Sequence, residues 1–164
     1  MSLKFSAAFW SIVAAQMILL LAIVGVKEYN LATGTTVVLQ AVPVDPRSLF
    51  QGDFAVLGYE IGTLPPHLGN LPSGSTVYVA LQEGAQVWEA TRYTTSRPPE
   101  GEVFIEGTVD PRGRLDFGIG TFFVPEGTGH IIEQSTDVKV NISVDGRGNA
   151  VIKELLVDGK PFNP

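Results

Sequence analysis

The chain has no cysteine among its 164 residues, which excludes structural disulfides and thiolate metal sites. Charged residues are also scarce: they make up 17% of the chain, against 45% hydrophobic residues. This composition is apolar for a soluble protein of this size. The length fits one compact domain with an appendage and argues against two full domains.

The charge deficit is concentrated between Phe5 and Val26, where no side chain is charged. Twenty-two residues are enough, at about 1.5 Å per residue, to cross a hydrocarbon core of roughly 30 Å. A cleaved signal peptide is the alternative, but its apolar core is usually only about 7–15 residues long. The segment therefore favours an uncleaved transmembrane anchor at 1–30, followed by a single domain at 31–164.

The charges beside this segment indicate its orientation and the partners of the domain. Lys4 precedes the segment, whereas Lys27 after it is offset by Glu28, and this asymmetry favours a cytoplasmic N-terminus with the domain outside the cytoplasm. Without these three residues, 9 basic and 16 acidic residues remain, a net charge of −7. Because an acidic domain repels phosphate backbones, we expect no binding to nucleic acid.

After Asn30 the sequence changes to short segments of alternating apolar and polar residues, separated by glycine and proline. This pattern predicts a mostly β protein in which the transmembrane helix precedes an antiparallel β-barrel or sandwich. A single short helix is expected at 126–135. The predicted strands are Thr36–Val42, Phe54–Ile61, Thr76–Gln82, Gln86–Thr94, Val103–Val109, Leu115–Gly120, Asp137–Val144 and Ala150–Val157.

Two segments carry a resemblance to a known family. The octapeptide Gly52-Asp53-Phe54-Ala55-Val56-Leu57-Gly58-Tyr59 resembles the signature of the GDYXXLXY protein family, with Phe54 at the position of the signature's first Tyr. About 70 residues later, Phe122-Phe123-Val124-Pro125-Glu126-Gly127 is similar to that family's aromatic-Val-Pro-Glu-Gly segment. The positions that match these motifs are Gly52, Asp53, Phe54, Leu57, Tyr59, Pro125, Glu126 and Gly127.

The resemblance implies a bacterial cell membrane protein with one N-terminal anchor and a periplasmic or other extracytoplasmic domain. It also implies polytopic membrane proteins as partners, beside the lipid bilayer itself. It implies neither an established activity nor a cofactor, and we expect no cofactor. The leading hypothesis is therefore a non-enzymatic interaction protein, an accessory subunit of a larger membrane complex.

A membrane-bound serine hydrolase or peptidase is an alternative hypothesis. The stretch from Leu49 to Asp53 resembles the Leu-x-x-Gly-Asp that follows the nucleophile of type I signal peptidases, but Val44 stands where that nucleophile would be. Ser48 is the nearest hydroxyl, and a lysine such as Lys139 or Lys153 would have to act as its base. The favoured interpretation is structural: Gly52 permits a tight entry to the strand and Asp53 caps it.

Three further hypotheses concern binding. Glu126, His130 and Glu133 would share one face of a helix and could hold a divalent metal, although Gly127 and Gly129 favour a solvated turn. The candidate interface residues are Ser11 and Ala15, on a stripe of small residues along the anchor, and the adjacent aromatics Phe122 and Phe123, one of which must face outward in a strand. A polar, open cavity lined by residues 117–123 would instead favour an anchored ligand-binding barrel.

Overall fold

The computed structural model describes residues 2–43, 54–123, 132, 135 and 137–162. In these residues one α-helix is followed by ten β-strands and two short 3₁₀ turns, at Glu60–Gly62 and Pro66–Leu68. The protein is thus mostly β, as the alternating pattern predicts.

The helix α1 extends from Ser2 to Thr33. It contains one stretch, Ala8–Val26, that is long and apolar enough to cross a membrane, and none of that stretch is buried against the domain. Large apolar side chains are bare along it: Leu19 is 61% exposed and Val26 is 70% exposed. Because the core helix of a soluble protein would bury such side chains, α1 is not a core element.

The strands form two antiparallel sheets. One has six strands in the order β10-β9-β8-β1-β2-β7, and the other has four in the order β4-β3-β5-β6. The bounds are β1 Thr35–Pro43, β2 Phe54–Tyr59, β3 Thr76–Glu83, β4 Trp88–Thr94, β5 Phe104–Val109, β6 Leu115–Asp116, β7 Thr121–Phe123, β8 Val138–Val144, β9 Ala150–Val157 and β10 Lys160–Pro161.

The core lies between the two sheets, because alternate residues of the central strands point inward. The fully buried large side chains come from both sheets: Val37 and Leu39 of β1, Val77 and Val79 of β3, Ile105 of β5, Val140 and Ile142 of β8, and Leu155 of β9. Burying an aliphatic side chain of this size stabilises a fold by about 1.5–3 kcal/mol. This arrangement is a β-sandwich of two packed layers.

Strand β1 changes its partner along its length. Residues 35–40 pair with β8, and Ala41–Pro43 pair with β2, which in turn pairs with β7 through Phe54 opposite Phe123. Only Gly34 separates α1 from β1. The helix therefore enters the central part of the six-stranded sheet directly, with no flexible linker between them.

The structure corrects two of the predicted strands. The strand predicted at 54–61 ends at Tyr59, where the chain enters the first 3₁₀ turn. The strand predicted at 115–120 is wrong as one element: β6 ends at Asp116, Gly118 has a φ of +71°, and the next strand, β7, begins only at Thr121. The remaining six predicted strands agree with the structure to within two residues at each end. The short helix predicted at 126–135 lies almost entirely outside the described residues.

Candidate functional site

Two motif positions of the signature, Leu57 and Tyr59, lie in β2, and their side chains are buried, with 7% and 4% exposure. Both hold the segment that follows β6. The backbone N–H of Leu57 donates to the carbonyl of Gly120 at 2.8 Å, and the Tyr59 hydroxyl donates to the carbonyl of Ile119 at 2.7 Å. The end of the signature therefore acts as a clamp that fixes residues 117–121 against β2.

The surroundings of Tyr59 define the role of its hydroxyl. The ring packs edge-on against Phe117, with centroids 6.3 Å apart. Burial raises the pKa of Tyr59 well above its usual range, because the phenolate would be poorly solvated there. The hydroxyl therefore remains a neutral hydrogen-bond donor, which is a structural role.

A second tyrosine makes a similar bond on the other sheet. The Tyr93 hydroxyl of β4 donates to the carbonyl of Ile61 at 3.1 Å, and partial burial raises the pKa of Tyr93. This bond joins β4 to the turn that ends β2. The polar tips of both tyrosines thus satisfy backbone carbonyls, as buried tyrosines usually do.

An open cleft of about 500 Å³ lies beside the clamped segment. One wall is β2 from Val56 to Tyr59, and the other is the β5–β6 turn with the chain that follows it, up to Thr121. Two arginines of the turn, Arg112 and Arg114, line the cleft. The signature strand therefore faces a turn that carries two arginines, and the carboxylates of Asp110 and Asp116 also line this cleft.

The β5–β6 turn holds these arginines in place through its backbone. Asp110 Oδ1 accepts hydrogen bonds from the backbone N–H groups of Arg112 and Arg114, both at 2.8 Å. Asp110 N–H also donates to the carbonyl of Arg114 at 2.7 Å, and Gly113 supplies the positive φ of +74° that the turn requires. The aspartate therefore fixes the turn and leaves the guanidinium groups to project from it.

The guanidinium groups of Arg112 and Arg114 form no hydrogen bond or ion pair in the part of the chain that the structure describes. The ion pairs seen there join other residues, Arg92 to Glu102 and Lys139 to Asp137, each at 2.8 Å. Asp116, which also lines the cleft, accepts a bond on Oδ1 from the backbone N–H of Gly118 at 2.8 Å. The cleft thus contains two cations that no carboxylate of the described residues neutralises by direct contact.

Most of the other predicted site residues lie outside the described residues. These are Gly52, Asp53, Pro125, Glu126, Gly127, His130, Glu133 and Ser48. Phe54 is described only as the first residue of β2, opposite Phe123. Within the described ranges, no group of three or more His, Asp or Glu side chains could hold a metal ion.

The aromatic pair in β7 alternates as expected for a strand. Phe122 is half-buried against the core, and Phe123 is 78% exposed. Because β7 is the last strand of its sheet, Phe123 presents a bare ring at a sheet edge. Its role as an interface residue stays a prediction.

The lysines proposed as bases have other partners. Lys139 forms an ion pair with Asp137 and contacts Gln86 at 3.4 Å, and this lysine lowers the pKa of Asp137. Lys153 donates to the hydroxyl of Thr36 at 3.1 Å, on an exposed part of the sheet. A lysine that serves as a general base normally lies in an apolar pocket or beside another cation, whereas Lys139 pairs with a carboxylate and Lys153 is exposed.

Ser11 and Ala15 lie on the exposed surface of α1, inside the apolar stretch. They are one helical turn apart, so they share a face. Within the described residues, the stretch that contains them is not buried against the domain. Their role as a surface for packing against another helix stays a prediction.

Arg112 and Arg114 are candidate site residues that the sequence did not indicate, because their segment Asp110-Pro-Arg-Gly-Arg is typical of an ordinary turn. A signal was available: two cations in one turn of a domain with a net charge of −7. What the sequence could not supply is the packing of that turn against β2, because Val56 and Arg112 are more than 50 residues apart.

One comparison with known proteins identifies a family. The family model described as "GDYXXLXY protein" matches residues 16–155, a range that includes the signature strand, both walls of the cleft and the second half of α1. No curated protein and no solved structure matches the chain. Since the family model covers most of the 164 residues, the chain belongs to the GDYXXLXY protein family.

Proposed function

We propose that this protein is a non-enzymatic, membrane-anchored interaction protein, an accessory subunit that binds a polytopic membrane protein of the bacterial cell membrane. The observation that supports the proposal best is the bare surface of α1, whose span from Ala8 to Val26 makes no buried contact with the domain. A bilayer covers an apolar surface of this kind, and a second helix recognises the small residues on it.

The junction between helix and domain also supports an accessory role. Only Gly34 separates α1 from the central strand β1, so a helix docked on a partner would fix where the β domain lies. In this proposal the N-terminus is cytoplasmic and the domain lies outside the cytoplasm, beside the extracytoplasmic face of the partner. The charge asymmetry of Lys4 and Lys27 supports this orientation.

The test is affinity purification of the full-length chain in a mild detergent, followed by mass spectrometry of the proteins that co-purify. We expect a polytopic protein in fixed proportion to the bait. Replacing Ser11 and Ala15 by leucine should reduce its recovery, because the added bulk separates the two helix backbones.

A matched control is available on the opposite face of α1. Val13 and Leu20 lie about half a turn away from Ser11, at roughly 100° per residue, and the pair Val13→Leu and Leu20→Phe also adds bulk. This control should recover the partner as the unmodified chain does. Equal recovery by the two double variants would contradict the proposed helix surface.

A ligand-binding domain is the second candidate, and the cleft beside residues 117–121 favours it. The cleft is open, its mixed lining includes four charged side chains, and its volume of about 500 Å³ falls within the range of small-molecule sites, about 300–1,000 Å³. In this role the anchored domain would capture a small molecule outside the cytoplasm. The two candidates are compatible, since the cleft and the small residues of α1 belong to different parts of the chain.

A further inference from the structure

Two adjacent cations line the cleft, and they differ in their surroundings. Arg112 is exposed at the tip of the β5–β6 turn, and Arg114 is half-buried at its end. Arg114 lies close to Gly62: a Cβ added at Gly62 would lie 3.9 Å from Arg114 Nη2. The guanidinium of Arg114 therefore extends toward the 3₁₀ turn at Glu60–Gly62, whereas Arg112 is exposed to solvent.

Whether the two arginines are neutralised depends on which groups the two carboxylates of the cleft bind. Asp110 and Asp116 both line the cleft, and each directs Oδ1 to backbone N–H groups of its own turn. A carboxylate bound in this way fixes the backbone and is a poorer partner for a nearby guanidinium. The donors of both arginines thus remain unused within the described part of the chain.

A second turn of the same chain has the same backbone geometry but a different set of charges. Asp145 Oδ1 accepts bonds from the N–H groups of Arg147 and Asn149 at 2.8 and 2.9 Å, and Gly148 supplies a φ of +90°. This β8–β9 turn repeats the geometry of the β5–β6 turn. Its residue at the last position is Asn149, and although Asp145 and Gly146 line an open pocket, Arg147 does not. Of these two turns, the β5–β6 turn is the one that has a cation at both positions, and both of its cations line the cleft beside it.

We propose that the cleft binds a small ligand through an oxyanion, a carboxylate or a phosphate group, held by the guanidinium groups of Arg112 and Arg114. Guanidinium is the side-chain group that matches both of these oxyanions with two parallel hydrogen bonds. Strand β2 forms the opposite wall, and the clamped segment at 117–121 continues the wall that carries the arginines, with open space beside Gly118. This inference rests on the ligand-binding candidate and names the ligand class; it is independent of the partner of α1.

The experiment is a titration of the full-length chain in mild non-ionic detergent, by isothermal calorimetry in a Tris-chloride buffer. The probes are inorganic phosphate and, in a separate series, succinate, with sodium chloride at equal ionic strength as the reference. We expect saturable binding of at least one probe. Which probe binds distinguishes a phosphate ligand from a carboxylate ligand.

Variants assign the binding to the cleft. The double variant Arg112→Gln and Arg114→Gln should weaken binding about tenfold or more, whereas Arg147→Gln, in the equivalent turn, should bind as the unmodified chain does. The variant Arg114→Lys keeps the charge but loses the planar guanidinium, so its affinity for the probe should fall between that of the unmodified chain and that of the double variant. Unchanged thermal unfolding without probe shows that each variant is folded; should the double variant unfold, the exposed Arg112→Gln alone provides the test.

Three results would overturn the inference: no saturable binding of either probe, equal binding by the double variant, or equal loss in Arg147→Gln. Because no partner protein is present in the titration, its failure would leave the co-purification result unaffected. Conversely, a chain that binds phosphate but purifies alone would support the cleft and contradict the accessory role.

Discussion

The hydroxyl of Tyr59 is expected to carry a measurable share of the stability of the domain. It is the group that ties the signature strand to the carbonyl of Ile119, at 2.7 Å, and both residues are 4% exposed. Replacing Tyr59 by phenylalanine keeps the ring and its contact with Phe117 but leaves a buried carbonyl without this donor. A lost buried bond of this kind costs about 1–2 kcal/mol.

The assay is thermal and urea unfolding of the full-length chain in mild detergent, followed by near-ultraviolet circular dichroism. For a domain of this size, about 1–2 kcal/mol corresponds to a fall in Tm of roughly 3–8 °C. Tyr78→Phe is the matched control: Tyr78 is half-buried and packs edge-on against Phe104, and its hydroxyl has no hydrogen bond in the described part of the chain. The control should change stability by less than about 0.5 kcal/mol.

High pH provides a second measurement of the same group. Because burial raises the pKa of Tyr59 in the folded chain, the neutral hydroxyl contributes stability that is fully present below about pH 10, where the unfolded tyrosine ionises. That contribution is lost as the pH rises from there toward the folded pKa. The difference in stability between the unmodified chain and Tyr59→Phe should therefore narrow above pH 10. A phenylalanine variant as stable as the Tyr78→Phe control at neutral pH would refute the clamp.

Two further predictions concern the β8–β9 turn and the placement of the domain. Gly148→Ala should destabilise the domain by about 2–4 kcal/mol, because φ is +90° there and the added Cβ would lie 2.7 Å from the Phe104 ring. The control Gly146→Ala, in open space in the same turn, should be nearly neutral. Equal unfolding midpoints for the two variants would contradict the close approach of Gly148 to Phe104. The chain has no cysteine, so Ser96→Cys on the exposed β4–β5 loop introduces a single thiol. This thiol should react with a membrane-impermeant maleimide in intact bacterial cells. Labelling only after lysis would contradict an extracytoplasmic domain.

The fold class could be predicted from sequence because its signals are local. Two-residue alternation in Val138–Val144 and in Thr76–Glu83 reports which face is buried, and the apolar run of α1 needs no tertiary information at all. The division of 115–123 into two strands was not predictable in this way. It depends on Gly118 turning and on the clamp from Tyr59, a residue about 60 positions away.

The candidate site was less predictable than the fold for the same reason. The signature indicated Leu57 and Tyr59, but their role as a clamp follows only from the backbone atoms that they hold. Arg112 and Arg114 belong to a segment whose sequence predicts a turn but predicts no binding role for its side chains. A cation in a turn is normally a solvated residue, and only the packing of that turn against β2 gives it another role.

The most direct test of the accessory-subunit proposal is the mass of the intact particle that mild detergent extracts from the membrane, measured by native mass spectrometry of the tagged full-length chain. The chain itself contributes 17.6 kDa. We predict a heavier particle that contains a polytopic protein in fixed stoichiometry and that loses it when Ser11 and Ala15 are replaced by leucine. A particle with the mass of one tagged chain, or one built only from copies of this chain, would contradict the proposal.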